Sequence, residues 1–207
     1  MWGGPDGFEL PEAPSGLPYA DFEDAYSRAL LEANHVEPTP GGLRAALDAE
    51  LEVIQAAAAR VLGAEGVREA APRLRELATG RGDSARAEAG YALARMGDPA
   101  GVESLKATLA LPAGAYVAPM QAAGALARLG DPSGAPVIDA ALGDSNPIIR
   151  MVACKQLSYF APLDGGELGD GRRLDVGALF ERALADSDPE VAAQAAAQMK
   201  DLRLGEA

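Results

Sequence analysis

The chain has one histidine, His35, and one cysteine, Cys154, and no motif sets either beside a catalytic partner. A nucleophilic triad needs a base within reach of a serine or cysteine, and none is placed near His35. That histidine adjoins a proline break, where a loop residue or a helix-end cation is expected. Zinc needs clustered Cys and His ligands, so no metal centre is expected. Asp164, Glu167 and Asp170 alternate loosely but lack the residue order of a calcium-binding loop. The glycines among them are not followed by Gly-Lys-Ser/Thr, so they make no phosphate loop. No catalytic, metal or cofactor residue is assigned, and the chemistry left to the chain is surface recognition.

Charge narrows the partner. The 207 residues carry 31 acidic and 18 basic groups, a net charge of −13. Residues 1–42 hold eight of the acidic groups and a single basic one, Arg28. Such a field repels phosphate backbones, so nucleic acid is not expected as a partner. No stretch reaches the ~18 apolar residues that a membrane helix needs. The start, MWGGPDGFELPE, lacks the basic and apolar regions of a signal peptide. A cytoplasmic protein is expected, without contact with a membrane. Cys154 cannot form a disulfide within the chain and reads as a small buried thiol.

The elements that position these residues show themselves through repetition. Five segments end on an apolar residue, at Val61, Leu93, Leu126, Leu157 and Met199, spaced by 32, 33, 31 and 42 residues. Four residues before each stands an alanine: Ala57, Ala89, Ala122, Ala153 and Ala195. The next position is again small: Ala58, Gly90, Ala123, Cys154 and Ala196. A period of roughly 30–45 residues marks a stacked repeat array. With alanine and leucine dominant and strand formers sparse, the class is all-α. Offsets of −8, −4, 0 and +3 share one helix face, so the alanines allow close helix approach. Met96, Leu129, Phe160 and Leu202, at +3, fill the space between successive pairs.

Within this array the expected first helices span roughly 66–78, 99–110, 132–142 and 175–185. The expected second helices span roughly 84–96, 115–129, 147–160 and 189–202. Gly97-Asp98-Pro99 and Gly130-Asp131-Pro132 each stop one helix and start the next. Glycine takes the left-handed stop, aspartate caps, and proline suits the first helical position. Asp144-Ser145-Asn146-Pro147 and Asp186-Ser187-Asp188-Pro189 do the same inside later pairs. The one long spacing reflects an inserted loop at about 161–174. Upstream, 20–33 reads as a helix capped by Asp21, and 42–62 as one long helix with an unmarked possible break near Glu50. Residues 1–20 form a Gly/Pro-rich arm ahead of a repeat domain at 21–207. Five of the chain's ten aromatics, Trp2, Phe8, Tyr19, Phe22 and Tyr26, fall in the first 26 residues. Disordered tails are poor in aromatics, so the arm docks either on its own body or on a partner.

The runs Ala92-Leu-Ala-Arg-Met-Gly-Asp-Pro99 and Ala125-Leu-Ala-Arg-Leu-Gly-Asp-Pro132 resemble HEAT-like repeats, in particular the short bacterial type described in phycobilisome-lyase proteins. The run from Ala141 to Ala153 resembles that family's link into its second helix. The resemblance covers about residues 50–202 and implies a right-handed α-α superhelix, a HEAT-like solenoid of about 4–5 helix pairs. The family often sets an arginine early in the second helix. Arg86 and Arg150 match it, and a loop carboxylate such as Asp83 or Asp144 is the expected partner. Ile54, Pro119 and Ala192 stand at the matching positions elsewhere, so an arginine–aspartate ladder would be incomplete.

The resemblance also places second-helix offsets −6, −2 and +2 on an inner, concave face. Here they are Met120 and Met151; Tyr91 and Lys155; Arg95, Arg128 and Tyr159. Exposed Met, Tyr and Arg are favoured at binding surfaces. Met151, Val152, Lys155 and Tyr159 share one helix just before the insertion, which makes the third repeat the expected contact zone. The function expected is a non-enzymatic scaffold that holds a protein partner on this face. The acidic arm favours a basic partner, and an immunity or chaperone role would fit, though no motif marks one. A second reading is a lyase-type subunit acting on a chromophore or modified protein, with Cys154 as nucleophile. Self-association through the concave face is a third. The family's DNA-glycosylase branch fits poorly, because the chain is acidic and its one tryptophan, Trp2, lies outside the repeats.

Overall fold

The computed structural model describes residues 8–12, 19–111 and 117–204, with only the backbone described at 19–21, 201, 203 and 204. Residues 1–7 and 13–18 of the arm, and the Asp21 cap, lie outside that description. The described residues include eleven α-helices: α1 (Tyr19–Ala33), α2 (Pro40–Ala46), α3 (Glu52–Glu65), α4 (Ala71–Ala78), α5 (Asp83–Arg95), α6 (Pro99–Leu109), α7 (Val117–Arg128), α8 (Ala135–Ala141), α9 (Pro147–Leu157), α10 (Val176–Leu184) and α11 (Pro189–Leu204). Short 3-10 turns lead into α4 and α8, and a third extends α9 over Ser158–Leu163. Among the described residues there is no strand, only an isolated antiparallel bridge between Glu167 and Arg173. The chain is therefore all-α. It groups into two compact units, Met1–Val102 and Glu103–Ala207.

In the first unit, Leu30, Leu31, Leu43, Leu47, Ile54, Val61, Leu62, Leu74 and Leu93 make one buried core with the alanines of α3 and α5. The repeat alanines work as expected here: Ala57 and Ala89 are buried beside Ala58 and Gly90. A Cβ on Gly63 of α3 would stand 2.6 Å from Ala92 of α5, so the two helices touch at backbone distance. The described part of the arm docks on this unit. Phe8 packs against the core, and the Glu9 N–H donates to Asn34 Oδ1 while Asn34 Nδ2 donates back to the Glu9 carbonyl. His35 ends α1 in the left-handed region, φ 58°, which histidine enters more often than most non-glycine residues.

One expectation fails in this unit. Residues 42–62 are not one helix but α2 and α3, parted over 47–51. The separation lets α2 pack against α3 and bury Leu43, Ala46 and Leu47 in the core that Ile54 and Val61 also enter. A continuous rod cannot fold against itself. The break needs no glycine, because its polar groups are satisfied: Gln55 Nε2 donates to the Ala49 carbonyl at 2.7 Å, and Leu47, Asp48 and Ala49 close i→i−3 bonds.

In the second unit Leu105, Leu126, Ile138, Leu157, Phe160, Phe180 and Val191 are buried, with Ala122, Ala153 and Ala195 fully so. At the small position that follows, Ala123 and Cys154 are buried, but Ala196 near the chain's end is exposed. Gly134 lies so near Ala123 that a Cβ would meet its Cα at 2.5 Å.

The joints are built as their residues dictate. Gly97 and Gly130 take φ 78° and 83°. The Asp98 and Asp131 N–H groups donate back to Leu93 and Leu126, a Schellman closure. Each aspartate then caps the next element, accepting from Ala100 N and Ser133 N. Asn146 and Asp188 accept from Ile148 N and Glu190 N in the same way. The insertion is ordered by its own backbone: Gly165 N donates to the Leu174 carbonyl, Leu174 N to Gly166, and Leu168 N to Arg172. Asp164 accepts from Val176 N, and Leu174 is buried.

Ala122 is fully buried, so Ala122→Leu is expected to cost about 1–3 kcal/mol by overpacking. A denaturant melt of the variant that matches the parent would show that α7 does not face the core at this position.

Candidate partner-binding surface

On α5, Tyr91 and Arg95 lie one turn apart, with the Arg95 guanidinium 5.7 Å from the Tyr91 ring centre. Arg95 also approaches Asp24 of α1 at 3.7 Å. One turn back, Glu88 meets Arg60 of α3 at 2.5 Å, and Arg60 reaches Glu23 at 2.7 Å and Asp24 at 3.5 Å. The Arg60 side chain is 8% exposed, so a nearly buried guanidinium is held by three carboxylates. Burying a charge requires such pairing, and Arg's planar fork accommodates several acceptors. The acidic start of α1 is thereby spent within the first unit. Sequence reasoning missed Arg60; its signal was a lone cation inside Ala56-Ala-Ala-Ala-Arg-Val-Leu62. It also missed Glu52, whose Oε1 accepts from Ser84 N and Ala85 N and so caps α5, where Gly82 offers no side chain.

The second unit treats equivalent repeat positions differently. Met120 on α7 is 1% exposed and Tyr159 is 8% exposed, so neither presents a surface to a partner. Both were expected as contacts, and both are packed in instead. Arg128, half-buried, stacks on the Tyr159 ring at 5.1 Å. Met151 and Val152 are half-buried and Lys155 is exposed, all on α9. Ile148, one turn before Met151, is 61% exposed. Ile148, Met151, Val152 and Lys155 follow i, i+3, i+4, i+7 spacing, so they form one outward stripe. Ile148 was not singled out from sequence, although it stands next to the helix-starting proline.

The two family-position arginines bind, but not to the carboxylates expected. Arg86 donates from Nε and Nη2 to the Gly80 carbonyl rather than pairing with Asp83. Arg150 forms a bidentate pair with Asp186, at 2.7 and 2.8 Å, and takes only the backbone carbonyls of Asp144 and Ser145. The side chains of the pair are 13% and 10% exposed. Hydrogen bonds from Arg150 hold the Asp186 carboxyl below the ordinary aspartate range. Burial alone would raise Asp131, but Lys106 at 2.9 Å and Ser133 outweigh it, and that carboxyl is lowered too. Cys154 is fully buried, and loss of solvation, aided by the charge of Asp186, pushes its thiol up to about 11. In the insertion, Asp164 is spent on its cap and Asp170 on Arg172.

A carboxyl that binds its proton less tightly in the native state than in the unfolded chain contributes stability above the ordinary aspartate value, about 3.9. That contribution disappears as pH falls through the lowered native value. The melting temperature is expected to drop on acidification from about pH 5 to about pH 2, and less steeply in Asp186→Asn, which starts lower at neutral pH. Parallel pH profiles for parent and variant would show that the pair does not couple folding to protons.

Comparison with known proteins agrees on the type of repeat. Residues 85–110 match the family model described as PBS lyase HEAT-like repeat. The matched segment runs from α5 through the Gly-Asp-Pro joint to the end of α6. No curated protein matches the sequence. Among solved structures, the chain is similar to an engineered protein from the Northeast Structural Genomics Consortium, at 16% identity over 89% of each chain with a TM-score of 0.44. A second engineered protein from the same consortium is 19% identical over 90% of this chain and 88% of its own, with a TM-score of 0.43. A computationally designed armadillo repeat protein, described as made for modular peptide recognition, is 14% identical over 88% and 90%, with a TM-score of 0.40. The chain thus carries a HEAT-like repeat of the PBS lyase type in the segment that contains its Gly97-Asp98-Pro99 joint.

Proposed function

We propose that the protein is a non-enzymatic scaffold that holds a protein partner on the exposed face of α9. The carrying observation is the stripe of Ile148, Met151, Val152 and Lys155: an isoleucine left 61% exposed, two half-buried apolar neighbours and a cation at the end. An exposed apolar strip rimmed by charge is the composition of a recognition surface. Tyr91 and Arg95 of the first unit are weaker contacts in this reading, because Asp24 already engages Arg95. Arg128 serves by bracing Tyr159 rather than by reaching outward.

The lyase-type reading lacks its nucleophile. A thiol pushed up to about 11 is protonated at neutral pH, and a fully buried one meets no substrate. The basic-partner reading loses much of its support where Glu23 and Asp24 are already committed to Arg60.

Two measurements test this. Ile148→Asp combined with Lys155→Glu, both at solvent-exposed positions, is expected to abolish capture of the partner that the parent retains, with an unchanged thermal melt. Retained capture overturns the surface. Cys154 is expected to resist a thiol reagent in the native protein and react fully on unfolding. Rapid native labelling would restore the enzymatic reading.

A further inference from the structure

The inserted loop does more than lengthen a connection. With α8 and α10 it lines an open cleft of about 380 Å3, with Ala135, Pro136, Leu168, Leu174, Ala178 and Leu179 as its apolar part. That volume lies within the range of small-ligand sites, roughly 300–1,000 Å3. The polar part is Arg172, Arg173 and Arg182 with Asp139 and Asp175. In a chain of net charge −13, three arginines gathered on one cleft against two aspartates are a local concentration of cations.

The partners of these charges decide what the cleft lacks. Asp139 is paired with Arg182 at 2.8 Å, and Asp175 accepts from Ala178 N as the cap of α10. Arg172 is paired with Asp170 at 2.8 Å. Arg173 donates Nη1 to the Gly165 carbonyl, and among the described residues no carboxylate lies within ion-pair distance of it. Its remaining donors form a fork suited to a carboxylate. The Arg172 and Arg182 pairs are exposed, and exposed pairs hold their partners weakly, so both can turn to an incoming anion. The repulsion of the rest of the chain is screened beyond ~8 Å at physiological salt.

We infer that this cleft binds an amphipathic carboxylate, its apolar body between Leu168, Leu174 and Leu179 and its carboxylate on Arg173. Two sources share that chemistry: a free aliphatic acid and the C-terminal carboxylate of a chain ending in an apolar residue. None of the residues involved belongs to the α9 stripe, so the two sites stand or fall separately.

The test is a titration of the full chain followed by amide NMR, with octanoate, octan-1-ol, and a short peptide ending in Leu with a free or an amidated terminus. Octanoate is expected to shift the Leu168, Leu174 and Leu179 amides saturably, while octan-1-ol leaves them unmoved. Arg173→Gln is expected to weaken binding roughly tenfold, as loss of a charge-assisted hydrogen bond does. Ala178→Trp, at an exposed helix position, is expected to block the cleft without touching the loop, which guards against loop collapse in the Arg173 variant. Salt raised to about 0.5 M is expected to weaken octanoate binding. A free-terminus peptide that binds where the amidated one does not assigns the source to a chain terminus; response to octanoate alone assigns it to a free acid. Equal response to octanoate and octan-1-ol, shifts scattered over the molecule, or unchanged binding in Ala178→Trp overturns the inference.

Discussion

Backbone-distance contact between helices is the constraint on which the rest of each unit depends. In the first unit Gly63 of α3 faces Ala92 of α5 where a single added carbon would stand 2.6 Å away. In the second, Gly134 meets Ala123 as closely, and Gly124 is filled by Gln156. Helices this near gain dispersion along their whole shared length, and interiors packed to crystal-like density do not accept an extra methylene. The larger residues, Leu62, Leu93, Leu126 and Phe160, then fill what the small ones leave, and all four are fully buried. A repeat unit of two short helices has too little core to stand alone, so these contacts with its neighbours provide much of its stability.

Polar chemistry at the joints makes that stacking specific. Asp98 and Asp131 each perform two tasks with two oxygens: Oδ1 caps the helix that follows, and Oδ2 receives a cation from the preceding first helix, Arg75 or Lys106. Asp186 is shared in a different way: its Oδ1 accepts from Asp188 N, and both its oxygens accept from Arg150 of α9. A carboxylate at a helix start is favoured by the dipole, and the second partner ties that start back to the cation-bearing helix. Glu52 shows the same economy across α3 and α5. The acidic side chains so placed, Glu52, Asp98, Asp131 and Asp186 among them, are structural.

The surfaces proposed for recognition are those the repeat does not need. The α9 stripe is apolar where the fold gains nothing from exposing Ile148. The cleft beside the insertion holds a guanidinium, on Arg173, that the fold satisfies with one carbonyl. Both arise in the second unit, around the one spacing that departs from the period.

The sequence by itself determined the helices of the repeats from 66 onward and their joints. Gly-Asp-Pro, the alanine four residues before each closing position, and the proline-led starts act within one or two turns of chain, and local chemistry of that kind reads directly from residue order. Only the tertiary structure decided the rest. Met120 and Met151 share a repeat position, yet one is buried and the other half-exposed, because periodicity fixes an angle around a helix and not what packs there. The break between α2 and α3 has no glycine or proline; it follows from the gain of folding two apolar faces together. Arg150 finds Asp186 thirty-six residues on, and Arg60 gathers carboxylates from α1 and α5, since burial of a charge recruits whatever acceptor the packing brings near rather than the one closest in sequence.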